Sequence, residues 1–186
     1  MRIVSGEFKG RAISAPPGRA TRPTTDRVRE AVFNILSHAN WAPSIEGARI
    51  VDLFAGSGAL GLEAISRGAS FCLFVETDAR ARGVIRDNIE SLALFGTTRI
   101  HRRSAIDLGV RPAGLGAPFN LAFLDPPYGK GLAPRALEAL TSGAWLTDDA
   151  VALVETGVDE TFNVTGWELQ DERVYGGSKM RLLKRC

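Results

Sequence analysis

Five short apolar runs, alternating with stretches of helical spacing, constrain this chain most. The runs are Ile50–Phe54, Phe71–Val75, Thr98–His101, Leu121–Leu124 and Val151–Val154. Between them the spacing predicts helices over residues 58–67, 79–93, 105–110 and 131–141. Strands that are apolar throughout must be covered on both faces, and the intervening helices supply that cover. The reading is an α/β fold with a mostly parallel sheet. Beyond Val154 the pattern changes: residues 162–173 and 178–185 alternate polar and apolar positions. They read as an antiparallel hairpin closing one sheet edge and bring the strand count to seven.

The first 46 residues differ in kind. Residues 1–15 alternate around Gly6 and Gly10, which suggests a small hairpin, and Pro16-Pro17-Gly18 ends it. Thr24-Thr25-Asp26 then reads as a helix start, followed by Val28, Ala31, Val32, Ile35 and Leu36 at helical spacing. Seven basic residues stand against two acidic ones in residues 1–29, whereas the remainder holds sixteen basic and nineteen acidic. A basic arm on a mildly acidic body suggests a polyanionic partner. The expected division is an N-terminal extension, residues 1–46, and a main domain, residues 47–186. At 186 residues with 45% hydrophobic and 24% charged content, the chain needs no disulfide or metal staple. Cys72 and Cys186 form no disulfide framework, and two histidines far from both make a metal site unexpected. No apolar run approaches the roughly 18 residues of a membrane span, and the start lacks a signal-like apolar stretch. A cytoplasmic monomer is the expectation.

Two turns carry the chemistry. In Val51-Asp52-Leu53-Phe54-Ala55-Gly56-Ser57-Gly58-Ala59-Leu60-Gly61 a strand runs through a glycine-rich turn into a helix. Glycines permit a tight turn and close approach of backbone to ligand, and parallel sheets bind ligands at the carboxyl ends of their strands. Glu76 ends the next strand, twenty residues after Gly56, and could accept hydrogen bonds from ribose hydroxyls. A nicotinamide dinucleotide satisfies that spacing. Asp52 argues for another ligand: a carboxylate aimed into the crevice repels a diphosphate but attracts the ammonium and sulfonium of S-adenosylmethionine.

The second turn, Asp125-Pro126-Pro127-Tyr128, follows the buried run Leu121–Leu124. Two prolines remove two backbone donors and fix two φ angles, so the carbonyls there are held rigidly as acceptors. The Asp125 carboxylate and the Pro126 carbonyl could accept both hydrogens of a planar exocyclic amine and free its lone pair for attack on a methyl group. Tyr128 could stack on the attached base.

These residues resemble a known family. Asp52-Leu53-Phe54-Ala55-Gly56-Ser57-Gly58 is similar to motif I of the Rossmann-like class I S-adenosylmethionine-dependent methyltransferases, and Asp125-Pro126-Pro127-Tyr128 to motif IV of those that methylate base amines. With Arg2-Ile3-Val4-Ser5-Gly6, Gly10-Arg11, Thr21-Arg22-Pro23-Thr24-Thr25-Asp26-Arg27-Val28-Arg29-Glu30 and Phe33-Asn34-Ile35-Leu36, nearly the whole chain resembles the RsmD family, bacterial small-subunit (16S) ribosomal RNA guanine-N2 methyltransferases. The resemblance implies that Asp52, Phe54, Ala55, Gly56, Ser57 and Gly58 hold the methionine part of the cofactor. It puts Glu76 and Thr77, with Asp78 nearby, at the ribose and Ser104 and Ala105 beside the adenine. Asp125, Pro126, Pro127 and Tyr128 would hold the target guanine. It implies RNA contacts from Arg11, Arg22, Thr24, Arg27 and Arg29, on free RNA or an assembling particle. Tyr175-Gly176-Gly177-Ser178 resembles a closing motif that helps position the base.

Three rivals remain open on sequence. A DNA adenine or free-nucleotide amine methyltransferase would use the same proline clamp, although no target-recognition domain is present. A nicotinamide oxidoreductase explains the glycines and Glu76 but leaves the clamp idle. A non-catalytic RNA-binding protein leaves Asp52 and Asp125 without purpose.

Overall fold

The computed structural model describes residues 1–18 and 24–186. Seven strands form one sheet: β1 (Arg49–Leu53), β2 (Phe71–Val75), β3 (Thr98–His101), β4 (Phe119–Leu124), β5 (Leu146–Gly157), β6 (Trp167–Tyr175) and β7 (Ser178–Arg185). Their spatial order is β3-β2-β1-β4-β5-β7-β6. Strands β1 to β5 pair in parallel, and β7 runs antiparallel to both β5 and β6. Four helices accompany the sheet: α1 (Asp26–His38), α2 (Ala59–Ser66), α3 (Ala79–Ser91) and α4 (Leu132–Ser142). β1 has β2 on one side and β4 on the other, so the chain leaves it in opposite directions. That reversal opens a crevice at the carboxyl ends of β1 and β4, where an open parallel sheet takes its ligand.

Side-chain alternation splits the core into two layers. Ile50, Phe74, Phe123 and Leu153 face Val32, Phe33 and Leu36 of α1, with α2 and with Ile85 and Ile89 of α3. Val51, Leu53, Leu73, Ala122 and Leu124 face Ala133, Ala136, Leu137 and Leu140 of α4. Phe33 meets Phe123 edge-on with ring centroids 5.7 Å apart, a pairing worth about 0.5–1.5 kcal/mol beyond its buried area.

The sequence reading departs from the structure in four places. Residues 105–110 form no helix; the chain turns there and makes only a 3₁₀ turn at Ala113–Leu115. Gly109 at φ 65° and Pro112 interrupt the segment, while Trp145 Nε1 donates to the Gly109 carbonyl at 2.8 Å. β5 starts at Leu146, five residues before its apolar run, and the register shifts where it meets the start of β4. β6 begins at Trp167 rather than near 162. The N-terminal hairpin is reduced to one antiparallel bridge, Arg2 with Ala12.

That N-terminal segment joins the same core as the sheet, for Ile3 and Ile13 pack in the layer of Ile50 and Phe74. Glu63 of α2, fully buried, accepts from the Val4 amide at 2.8 Å, the Ser5 amide at 3.0 Å and Arg67 Nε at 2.9 Å. The Ser66 carbonyl accepts from the Glu7 amide at 2.8 Å. Gly6 passes so close that a Cβ there would lie 1.8 Å from the Ser66 oxygen. Asn88 of α3 accepts from the Ser14 amide at 2.8 Å and donates to the carbonyls of Ser14 and Ser57, both at 3.0 Å. It thereby ties the segment to the glycine turn. Among the described residues no helix is long and apolar enough to cross a membrane.

Candidate active site

The register pairs Leu53 with Leu124, so the two chemical turns leave adjacent parallel strands at the same level. Between them lies a cavity of about 280 Å³ lined by Phe54, Glu76, Thr77, Ser104, Ile106, Asp125, Pro127 and Leu132. No lysine or arginine is among the described lining residues.

The glycine turn is built tightly. The Gly58 amide donates to the Ala55 carbonyl at 2.7 Å, and the Ala55 amide to the Val75 carbonyl at 3.2 Å. Gly56 and Gly58 take φ of 60° and 78°, a conformation that favours glycine. Phe54 takes φ 58° despite its bulky side chain, a strained geometry costing about 1–3 kcal/mol that recurs at binding sites. Gly61 serves packing: a Cβ there would lie 2.4 Å from the Phe74 ring and 2.5 Å from Cys72 Sγ.

Three carboxylates crowd this region. Glu76 accepts from the Gly56 amide and from the Asp78 amide, each at 2.9 Å, which orients it at the cavity wall. Asp52 is 2% exposed and accepts from the Gly61 amide at 3.0 Å, beneath the turn. It lies beneath the turn and is not among the residues that line the cavity. Burial pushes the Asp52 carboxyl well above the ordinary carboxylate range; the Gly61 amide opposes the rise, and the charges of Asp125 and Glu76 add to it. A bound cation would be attracted by these acids, whereas a diphosphate would meet their repulsion.

The remaining expected residues divide. Ser104 lines the cavity, but Ala105 is buried in the α4-side layer and Ile106 takes its place at the wall. Asp78 caps α3, accepting from the Arg80 and Ala81 amides at 2.8 and 2.9 Å. Pro126 is buried, Pro127 faces the cavity and Tyr128 is 41% exposed. Tyr128 Oη donates to Glu155 Oε1 at 2.5 Å. Burial and that carboxylate, with Asp125 beyond, raise the phenol above its ordinary range, and a hydrogen bond with Ser178 works against them. The Gly129 amide donates to Glu160 at 3.0 Å, a second fastening of the loop. Ile106, Leu132, Glu155 and Glu160 carry no local motif and went unread in the sequence.

The arm is corrected most. Arg29 is fully buried rather than offered to RNA. It donates to Asp26 at 2.8 Å, to the Thr24 carbonyl at 3.0 Å and to the Arg2 carbonyl, and lies 3.9 Å from Glu63. Thr24 donates to Glu155 at 3.0 Å. Arg11 is exposed yet donates to the Ser91 carbonyl at 2.7 Å, and Arg27 is exposed. Arg22 lies outside the described residues. Among those described, no group of three or more His, Cys, Asp or Glu side chains is placed to hold a metal ion.

A parallel sheet reversed at β1, a glycine turn opening α2 and an Asp-Pro-Pro-Tyr turn at the next strand define a class I methyltransferase. The chain belongs to the family described as Conserved hypothetical protein 95, whose model matches residues 1–184 and to which the RsmD resemblance pointed. It is 39% identical to the Escherichia coli (strain K12) ribosomal RNA small subunit methyltransferase D, over 100% of this chain and 90% of that protein. The protein of the same name from Haemophilus influenzae is 33% identical over 98% of this chain and 92% of its own length. The solved structure of Escherichia coli yhhF superposes with a TM-score of 0.84 at 37% identity, covering 100% of this chain and 97% of that one.

Proposed function

We propose that the protein binds S-adenosylmethionine in this crevice and transfers a methyl group to the exocyclic N2 amine of a guanine in small-subunit ribosomal RNA. The observation that carries the cofactor half is the lining: carboxylates at Asp125 and Glu76, a third at Asp52 below, and no Lys or Arg among the described wall residues. That donor set fits a ligand with ammonium and sulfonium groups and disfavours a nicotinamide dinucleotide. Glu76 and Thr77 would hold the ribose, Ser104 and Ile106 the adenine side, and the Phe54–Gly58 turn the methionine part. Asp52 would act through its field rather than by contact. When bound, S-adenosylmethionine supplies a methyl group activated by its sulfonium sulfur.

The chain's own residues handle the acceptor. Asp125 and the Pro126 carbonyl would take the two amine hydrogens and turn the nitrogen lone pair out of the base plane. Tyr128 would stack on the flipped base, an interaction worth about 1–3 kcal/mol. No strong base is required, because the alkylated amine sheds one proton readily. The relatives' names support ribosomal RNA as the substrate and, with it, a cytoplasmic site of action.

Asp125→Ala tests the assignment. Methyl transfer to small-subunit RNA should fall at least about 10²-fold, the scale of losing a transition-state contact, while calorimetric affinity for S-adenosylmethionine stays within a few-fold. Retained turnover would remove the proposed mechanism.

A further inference from the structure

Four separated stretches of chain meet at one carboxylate and one phenol, and the reading above uses only the tyrosine. Glu155 lies on β5, opposite Met180 of β7, and is 5% exposed. Its Oε1 accepts from Tyr128 Oη at 2.5 Å and its Oε2 from Thr24 Oγ1 at 3.0 Å. The hydroxyl of Ser178, which donates to the Tyr175 carbonyl at 3.2 Å, lies beside the same phenol. Thr24 stands one residue before the α1 N-cap, Thr25. Ser178 opens β7 directly after the Tyr175-Gly176-Gly177 turn. The phenol end of Tyr128 is therefore held by Glu155 with Ser178 beside it, although the residue as a whole is 41% exposed.

Burying a carboxylate is costly unless its oxygens are hydrogen-bonded. The Glu155 oxygens are engaged by two groups far apart in the sequence, Thr24 and Tyr128, and neither is part of the sheet. A stiff turn alone would not need its tyrosine tied down, because Pro126 and Pro127 already fix the backbone. An aromatic platform does, since a ring free about χ1 and χ2 loses rotamer entropy on meeting a base.

We propose that Glu155 is a positioning residue for base binding: it holds the Tyr128 ring in its stacking orientation and couples that orientation, through Thr24, to the seating of the N-terminal segment. The role of Ser178 is to support the same phenol, which gives the turn at residues 175–178 a purpose beyond reversing the chain. The proposal rests on the assignment of Tyr128 to the target base.

The test combines steady-state methylation of small-subunit RNA, calorimetric binding of S-adenosylmethionine, and ultraviolet titration of the phenol in a Tyr175→Phe background, where Tyr128 is the remaining tyrosine. Glu155→Ala should lower kcat/KM for RNA at least tenfold, keep cofactor affinity within twofold and bring Tyr128 ionisation down toward that of an ordinary phenol. Glu155→Gln, which can still accept from one hydroxyl and bond the other, should recover most of the turnover. Thr24→Val should raise KM several-fold with kcat little changed. Tyr128→Phe combined with Glu155→Ala should be no worse than Glu155→Ala alone. Should Glu155→Ala fail to fold, Tyr128→Phe and Thr24→Val compared with their double variant carry the same non-additivity test. Additive losses, or full kcat/KM in a folded Glu155→Ala protein whose Tyr128 titration has shifted, would overturn the proposal. A wild-type protein that transfers no methyl to RNA would instead overturn the substrate reading and the role resting on it, leaving the titration to report the contact alone.

Discussion

The crevice at the ends of β1 and β4 and the N-terminal segment make opposite use of charge. In the crevice, acidic side chains gather: Glu76 and Asp125 line the cavity, Asp52 lies beneath it, and no Lys or Arg is among the described lining residues. In the N-terminal segment, Arg29 and Glu63 are opposite charges buried together to fasten one part of the chain to another. Like charges gathered at a cavity suit a cationic ligand, while opposite charges buried together serve the fold. A basic residue in the sequence does not announce which it is: Arg27 and Arg29 are two positions apart, one exposed and one fully buried.

The largest effect should come from breaking the fastening. Gly6→Val would put a branched side chain where even a Cβ falls 1.8 Å from the Ser66 oxygen, at φ 84°. Thermal unfolding should show a loss of about 3 kcal/mol or more, as for severe overpacking with backbone strain. Arg29→Met should cost about 2 kcal/mol or more, because it removes the hydrogen bonds to Asp26 and to the Thr24 and Arg2 carbonyls, while Glu63 keeps Arg67. If Arg29→Met left stability intact and weakened only RNA binding, the division of labour between the regions would fail.

The crevice should respond through its ligand rather than its stability. Because the Asp52 carboxyl is raised in the folded chain, its contribution to stability is present in acid and lost as pH rises through that raised value. A cationic ligand reverses the balance, so affinity for S-adenosylmethionine should climb as pH rises through the same range. Asp52→Asn, which keeps an acceptor for the Gly61 amide, should flatten that pH dependence and weaken binding at neutral pH at least about tenfold by calorimetry. A smaller effect sharpens the contrast within the arm. Gly10 shares φ 84° with Gly6 but has nothing within 4 Å of a Cβ, so Gly10→Ala should cost only about 1–2 kcal/mol of backbone strain. Smallest of all, Arg27→Ala should change stability by less than about 0.5 kcal/mol while raising KM for RNA, with salt dependence reduced.

What the sequence disclosed follows the same line. The two turns were legible because glycine and proline constrain the backbone locally: Gly56, Gly58, Pro126 and Pro127 restrict φ whatever surrounds them. Parallel strands were legible because Val51, Leu73 and Ala122 belong to predominantly apolar runs, interrupted in β1 by Asp52. Ile106, Glu155 and Asn88 were not, because each acquires its role from a partner far away in sequence, such as Ser14 and Ser57 for Asn88. Residues 105–110 misled for a related reason. Their apolar members Ala105 and Leu108 fill the α4-side layer from an irregular segment, and apolar spacing alone cannot separate that from a helix.

The central claim is that an acceptor-lined turn presents an exocyclic amine to the methyl donor. Its most direct measurement is transfer of labelled methyl from S-adenosylmethionine to small-subunit ribosomal RNA, followed by digestion to nucleosides and identification of the labelled product. The expected product is N2-methylguanosine, absent with Asp125→Ala; label on a ring nitrogen, a ring carbon or a ribose oxygen would contradict the account.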